Sequence, residues 1–301
     1  MGLLWHHHLQ ALTGNIVKIT LLPSQNFGQK LSPHKQPKIN YNYTHLNGLS
    51  EQCSYQIAQS KHLNNADVII LCVKSYQVKQ VLVSIAAKLN KSAMIILAHN
   101  GMGTLTDIDN SVLKQHAILA LLTTHGCARS VPTHIIHTGS GNSDLGLLSG
   151  ELSVSTIKNI TQLLQQALPN VQWHKNIIEK QWLKLAVNCV INPLTALYNI
   201  NNGDINSAQF VEIKTMLLNE LVLVAKAEQY NFNTTELLTL VNQVATTTAK
   251  NCSSMRADIL ARRTTEIDYI NGYIHRLGLK HDIATQKNTQ LWQQIKQLEA
   301  N

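Results

Sequence analysis

The chain has 301 residues, 44% of them apolar, and a formal net charge of +8. That length holds two domains or one large one, and the apolar share excludes a disordered chain. No apolar run approaches the roughly 18 residues of a membrane span. Met1-Gly2-Leu3-Leu4-Trp5 has neither the basic start nor the long apolar stretch of a secretory signal, so no membrane partner is expected. The positive charge suits anionic ligands. Lys and Arg are nevertheless spread out, Phe occurs only three times and no basic run is interleaved with aromatics, which argues against nucleic acid. Cys53, Cys72, Cys127, Cys189 and Cys252 are odd in number and form no C-x-x-C pair. That pattern points to reduced thiols in a cytoplasm, not to disulfides or a zinc site. His6-His7-His8 resembles a tag fragment or a metal tract. It falls in a helix start, where consecutive side chains fan outward, so no metal is expected from the triplet.

The elements follow in order. Ile16–Leu22 reads as a strand, and the polar 23–59 stretch as loops with one weak strand. Ala66–Val73, Ala93–Ala98 and Ala117–Thr123 read as further strands, with a helix over Ser75–Leu89. Continuous β-branched runs separated by helices predict a parallel, doubly wound sheet. His134–Thr138 and Ser143–Leu148 read as later antiparallel strands. Ser155–Ala167 is amphipathic. Beyond Trp173 the pattern is helical throughout: Ile178–Asn192, Ser207–Gln229, Thr234–Asn251, Arg256–Leu277 and Thr285–Ala300. The expected architecture is a doubly wound α/β domain over residues 1–174 and an all-α domain over 175–301.

Ligands of doubly wound sheets bind at the carboxyl ends of the strands. Lys74, the loop His99-Asn100-Gly101-Met102-Gly103 and Thr124-His125-Gly126-Cys127 each follow a strand. The more informative feature is Lys184-Leu-Ala-Val-Asn188-Cys-Val-Ile-Asn192-Pro. Lys184, Asn188 and Asn192 stand at i, i+4 and i+8, so at about 100° per residue they span an arc of about 80°. Leu185, Val187, Val190 and Ile191 take the rest of the surface, which predicts a buried helix with one polar line. A cation and two carboxamides so placed need partners, and a polar, anionic small molecule supplies them.

Asn100-Gly-Met-Gly, the long block from Lys184 to Ala196, Asn202-Gly203, Ser253-Ser254-Met255 and Thr265-Glu-Ile-Asp-Tyr-Ile-Asn-Gly together resemble the ketopantoate reductase family. The resemblance runs from Gly2 to the last helix. It implies a dinucleotide-binding Rossmann domain over residues 1–174 plus a helical domain of the 6-phosphogluconate-dehydrogenase type, with the active site in the cleft between them. The implied reaction is NADPH-dependent reduction of 2-dehydropantoate to pantoate, on the route to pantothenate. By resemblance Lys184 is the proton donor, and Asn188, Asn192, Asn202 and Ser254 contact substrate. Asn100 lies near both substrate and nicotinamide. Gly2, Lys74, Cys127 and Glu266 contact the cofactor, Cys127 through its backbone.

The residue types suit that chemistry. Hydride transfer to a ketone leaves charge on oxygen, which an ammonium stabilises before donating a proton. Lysine, with a reference pKa of about 10.4, holds that proton at neutral pH. Asn and Ser offer directed donors and acceptors to carboxylate and hydroxyl groups. The hydride itself has to come from a cofactor. Plainer readings stay open at this point: Lys184 snorkelling from a helix end, Asn192 serving a kink before Pro193, Glu266 pairing with Arg262, and Ser254 capping a helix.

Two departures bear on the cofactor. Of the G-x-G-x-x-G fingerprint only the last glycine, Gly2, occurs, without the preceding strand. No Arg follows Ile16–Leu22 to hold a 2′-phosphate; Ser24 or Lys30 would have to substitute. The expectation is a reductase with weakened cofactor binding. The alternatives are a truncated relative without turnover and a reductase of another branched 2-keto acid.

Overall fold

Three of the apolar runs become parallel strands of one sheet. The computed structural model describes residues 1–12, 17–22, 38–131 and 133–300. β3 (Val68–Leu71), β4 (Met94–Leu97) and β5 (Ile118–Thr123) pair in parallel, with Ile70 opposite Ile96 and Ile96 opposite Leu119. β8 (Ser143–Ser149) joins β5 antiparallel, and the short β9 (Val171–Trp173) lies parallel to β8. The order is β3-β4-β5-β8-β9, so the sheet is mixed and not wholly parallel. Ile95, Ile96, Ile118 and Leu119 are fully buried, each stabilising by roughly 1.5–3 kcal/mol.

A second sheet arises where mainly loops are expected. β1 (Lys38–Thr44) and β2 (Ser50–Gln56) form a hairpin; β7 (His134–Gly139) adds parallel to β1, and β6 (Gly126–Val131) antiparallel to β7. Lys-Ile-Asn-Tyr-Asn-Tyr-Thr alternates polar and apolar with period two, which turns Tyr41 and Tyr43 inward. The turn closes through His45 N–H donating to Leu49 O at 2.8 Å, and Gly48 supplies a φ of +83°. Of the expected Ile16–Leu22 strand, the described residues give one isolated parallel bridge, Leu21 to Ile57. Leu21 pairs just past the end of β2, where α2 (Ser60–Asn64) soon begins and leaves no room for a longer ladder. Ser24 and Lys30 lie outside the described residues.

Helices cover these sheets. α1 (Gly2–Gln10) buries Leu4, Trp5, His6 and Leu9. α5 (Val154–Ala167), capped by Ser153 accepting from Thr156 N–H at 3.1 Å, buries Ile160 and Leu164. Both share a core with Tyr41, Tyr43, Leu119 and Leu145. α3 (Val78–Ile85), flanked by 3-10 turns over Ser75–Gln77 and Ala86–Lys88, occupies the expected Ser75–Leu89 helix, and α4 (Asn110–Gln115) is a short helix that the sequence pattern does not announce. This α/β unit comprises Met1–Val73, Gln80–His99 and Ile108–Ile177.

The other unit comprises Lys74–Lys79, Asn100–Asp107 and Ile178–Asn301. Its central helix, α6 (Ile177–Tyr198), runs straight through Pro193 and past the expected end at Asn192. Proline has no N–H for the carbonyl four residues back, Cys189 O. That carbonyl instead accepts from Asn271 Nδ2 at 3.0 Å. Asn271 Nδ2 also donates to Asn288 Oδ1 at 2.9 Å, and Asn288 Nδ2 donates to Leu217 O at 3.1 Å. Both asparagines are fully buried. α7 (Val211–Ala227), α8 (Thr234–Thr247), α10 (Asn271–Lys280) and α11 (Gln286–Ala300) surround α6 in one apolar core. The expected helix Arg256–Leu277 is two helices, because Arg262 at φ +51° ends α9 (Ser254–Leu260) before α10 begins.

Replacing Asn271 should therefore strand a buried carbonyl inside α6. Asn271→Ala is expected to cost about 2 kcal/mol, read as a lower urea midpoint at unchanged m-value. An unchanged midpoint would show that the Pro193 gap needs no partner.

Candidate active site

Within the helical unit, α6 presents the polar line. Lys184 and Asn188 are half-buried and Asn192 is buried, at 6% exposure. Leu185, Val190 and Ile191 on the remaining faces are buried, and Val187 is partly so. Asn188 Nδ2 is buried and finds no acceptor. A donor so placed costs about 1–3 kcal/mol unless a ligand or water meets it. Lys184 also engages neighbouring groups and is not a loose surface chain.

A second cluster gathers around a buried carboxylate. Glu266 is 5% exposed. Its Oε1 accepts from Ser75 N–H at 3.0 Å and Asn100 N–H at 3.3 Å, and its Oε2 accepts from Asn100 Nδ2 at 3.2 Å. Lys74 Nζ stands 3.7 Å from Glu266 Oε2 and forms a close ion pair with Asp258. Burial works against the Lys74 ammonium, but Glu266 and Asp258 outweigh it and hold the lysine above its usual pKa. Arg263 Nε holds the other Asp258 oxygen at 3.1 Å. Pairing of Glu266 with Arg262 on a solvated face is thereby replaced, since Arg262 is exposed and Glu266 is not. Sequence reasoning missed Asp258; its position four residues past Ser254 on a short helix carries no signal of its own.

The Asn-Gly-Met-Gly loop requires its glycines. Gly101 has φ +83°, and a Cβ there would stand 2.3 Å from Tyr269 O. Gly103 has φ +93°, and its Cβ would meet the Tyr273 ring at 2.7 Å. Met102 N–H donates to Tyr269 O at 2.8 Å, so the loop lies flat against the segment leading from Glu266 into α10. Only glycine allows both the conformation and the approach.

Asn202 lies in a short 3-10 turn after α6. Its N–H donates to Asn251 O at 3.1 Å and its Nδ2 to Thr248 Oγ1 at 3.0 Å, while the buried Oδ1 has no donor. Ser254 opens α9 with an exposed side chain. The cap is Ser253, which accepts from Arg256 N–H at 3.1 Å and lies 2.7 Å from Thr195 Oγ1. The capping role considered for Ser254 thus falls to its neighbour.

Gly2 and Cys127 belong to the α/β unit. Gly2 starts α1, and a Cβ on it would stand 3.3 Å from Cys72 Cβ, so the glycine admits the helix close to the end of β3. The Met1 amino group lies 4.0 Å from Cys127 Sγ at the start of β6. Burial pushes the Cys72 thiol up to about 11, leaving it neutral. Six of the sequence-expected residues thus fall into two groups, Lys74 and Asn100 against Glu266, and Lys184, Asn188 and Asn192 on one helix line, while Gly2, Cys127, Asn202 and Ser254 belong to neither.

The arrangement of an α/β unit with parallel β3-β4-β5 and a helical unit built around one long helix recurs in solved structures. A solved D-mandelate dehydrogenase, in ternary complex with NADH and anilino(oxo)acetate, shares it at TM-score 0.82 and 23% identity over 99% of this chain and 94% of that one. A ketopantoate reductase from Ralstonia eutropha JMP134 does so at 0.76 and 22%, over 86% and 85%. Residues 1–150 match "Ketopantoate reductase PanE/ApbA" and residues 176–299 its C-terminal counterpart. A 2-dehydropantoate 2-reductase of Yersinia pestis is 39% identical over 266 residues, covering 88% of this chain and 85% of that protein. The chain belongs to the ketopantoate reductase family.

Removing the Glu266 carboxylate leaves two backbone donors unmet and Lys74 half-paired. Glu266→Ala is expected to destabilise the protein by about 3 kcal/mol, and Glu266→Gln by less because its amide oxygen still accepts. Equal urea midpoints for the two variants would refute the charge-centred account.

Proposed function

We propose that this chain reduces 2-dehydropantoate to pantoate with NADPH, and that Lys184 delivers the proton to the carbonyl oxygen. The observation that carries the reading is the Asn188 amide, buried without an acceptor on the same helix line as Lys184 and the buried Asn192. The relatives named 2-dehydropantoate 2-reductase, at 34–39% identity across enteric and related bacteria, support it.

The nicotinamide cofactor, when bound, supplies the hydride. Gly2 and the Cys127 backbone are its proposed contacts in the α/β unit, with Lys74, Asn100 and Glu266 in the helical unit. The glycine that brings α1 against Cys72 fits such a role, because backbone N–H groups of a helix start favour phosphate. Lys184 holds a proton at Nζ and places positive charge where negative charge develops on the substrate oxygen. Asn188 and Asn192 orient the substrate through their amides, and Asn202 and Ser254 complete the contacts. Residues 1–174 form the proposed cofactor part and 175–301 the proposed substrate part.

A cytoplasmic location is proposed on five unpaired thiols; among the described residues no helix is long and apolar enough to cross a membrane. A second reading is a reductase of another branched 2-keto acid. The fold shared with a dehydrogenase holding NADH and anilino(oxo)acetate favours keeping it in view.

Lys184→Ala should lower kcat by about 100-fold or more while leaving the NADPH fluorescence titration unchanged. Unaltered turnover would remove Lys184 from the acid role. A panel of branched 2-keto acids assayed by oxidation of NADPH and of NADH should give the highest kcat/KM for 2-dehydropantoate with NADPH. A larger value for another acid, or for NADH, would favour the second reading or the other cofactor.

A further inference from the structure

The consecutive histidines of α1 do fan apart. His6 is buried with its ring 5.7 Å from that of Tyr55, and His8 Nε2 lies 3.0 Å from Tyr43 Oη. His7 alone points to the tip of the β1–β2 hairpin. Tyr41, Tyr43 and His45 lie on one face of that hairpin, and the register opposes Tyr43 to Glu51 and Tyr41 to Cys53. Period-two alternation therefore puts His45, Glu51 and Cys53 on the side that faces α1.

We propose that His7, His45 and Glu51 form a site for a divalent cation of the zinc class, separate from the reductase residues. The two histidines would bind through Nε2 and Glu51 through a carboxylate oxygen. One ligand atom from each residue falls within 4.8 Å of the others. His45 Nε2 to Glu51 Oε1 is 2.6 Å and His7 Nε2 to Glu51 Oε1 is 3.7 Å. These distances bracket the ~3.3 Å between neighbouring ligand atoms of a tetrahedral zinc with bonds of about 2.0–2.1 Å. Two imidazoles and one carboxylate suit a borderline cation better than calcium or magnesium, which take oxygen ligands. A water would complete the set.

The rings are held before any ion arrives. His7 stacks on Tyr43 at 3.7 Å with 10° between planes, and His45 meets the same ring edge-on at 4.8 Å. His7 Nδ1 lies 3.5 Å from Cys53 Sγ, which gives the outer nitrogen a weak acceptor. When the cation takes Nε2, the ring proton sits at Nδ1 and Cys53 Sγ accepts it. Glu51 and His45 side chains are 50% and 38% exposed, which leaves an entry path.

The full chain, stripped with EDTA, should be titrated with Zn²⁺ by calorimetry and with Co²⁺ by visible absorption. One saturable equivalent is expected. His45→Gln and Glu51→Gln should each weaken it by about tenfold or more. Both positions are solvent-accessible, so far-UV circular dichroism should stay unchanged. His62→Gln, a histidine of the same unit outside the cluster, should keep wild-type affinity. Absence of a saturable site, or one indifferent to both His45→Gln and Glu51→Gln, overturns the proposal.

Discussion

A single buried carboxylate holds the helical unit's irregular segments together. Glu266 accepts from the backbone N–H groups of Ser75 and Asn100 and from the Asn100 amide, with Lys74 as counter-charge. Desolvating a carboxylate costs several kcal/mol, and truncating a paired buried charge leaves that cost unmet. Three hydrogen bonds and an ammonium repay it here. Much else follows from this one requirement. The 100–107 loop has to lie against Tyr269 and Tyr273 to reach Glu266, which is why positions 101 and 103 tolerate no side chain. Asp258 then becomes necessary as well, since it shares Lys74 with Glu266 and is itself steadied by Arg263.

The helix bearing Lys184 is stiffened by a different route. Pro193 would ordinarily weaken α6 one turn beyond Asn188. Asn271 fills the missing donor's place, and its amide is fixed by Asn288, which also donates to Glu220 at 2.8 Å. The sequence pair Asn192-Pro193 therefore marks no break. It marks a point where the hydrogen bond lost to the Cys189 carbonyl is recovered from a side chain 82 residues beyond that cysteine.

That example also shows what was legible in the sequence. β3, β4 and β5 were readable because continuous apolar runs rich in β-branched residues announce buried strands, and the line Lys184–Asn188–Asn192 because helical spacing is arithmetic. The hairpin was harder. Lys38–Thr44 alternates cleanly, but its alternate residues are tyrosines among asparagines, a polar composition that resembles a loop. The Glu266 cluster was legible only through family resemblance, since its partners Ser75 and Asn100 lie 191 and 166 residues away. Asp258 had neither spacing nor resemblance to mark it. The break at Arg262 depends on a left-handed backbone conformation that arginine does not advertise.

The contrast between satisfied and unsatisfied polar groups is what gives the proposed substrate site its content. Glu266 and Asn288 use their polar atoms on neighbours and hold the fold, as does the Asn271 Nδ2, although the Asn271 Oδ1 is itself buried without a donor. Asn188 keeps a buried donor, and Asn202 a buried acceptor, with nothing opposite. Leaving such groups unmet costs stability, and a fold tolerates the cost where a ligand recovers it. A ligand answering both would carry an oxygen acceptor and a hydroxyl donor. A 2-keto acid with a hydroxyl has both, and its ketone gives the Lys184 proton a destination. An unsubstituted keto acid would answer only the acceptor demand, leaving Asn202 Oδ1 unpaired. On the proposed reading, discrimination among branched 2-keto acids therefore rests on that hydroxyl as much as on the shape of the acyl pocket.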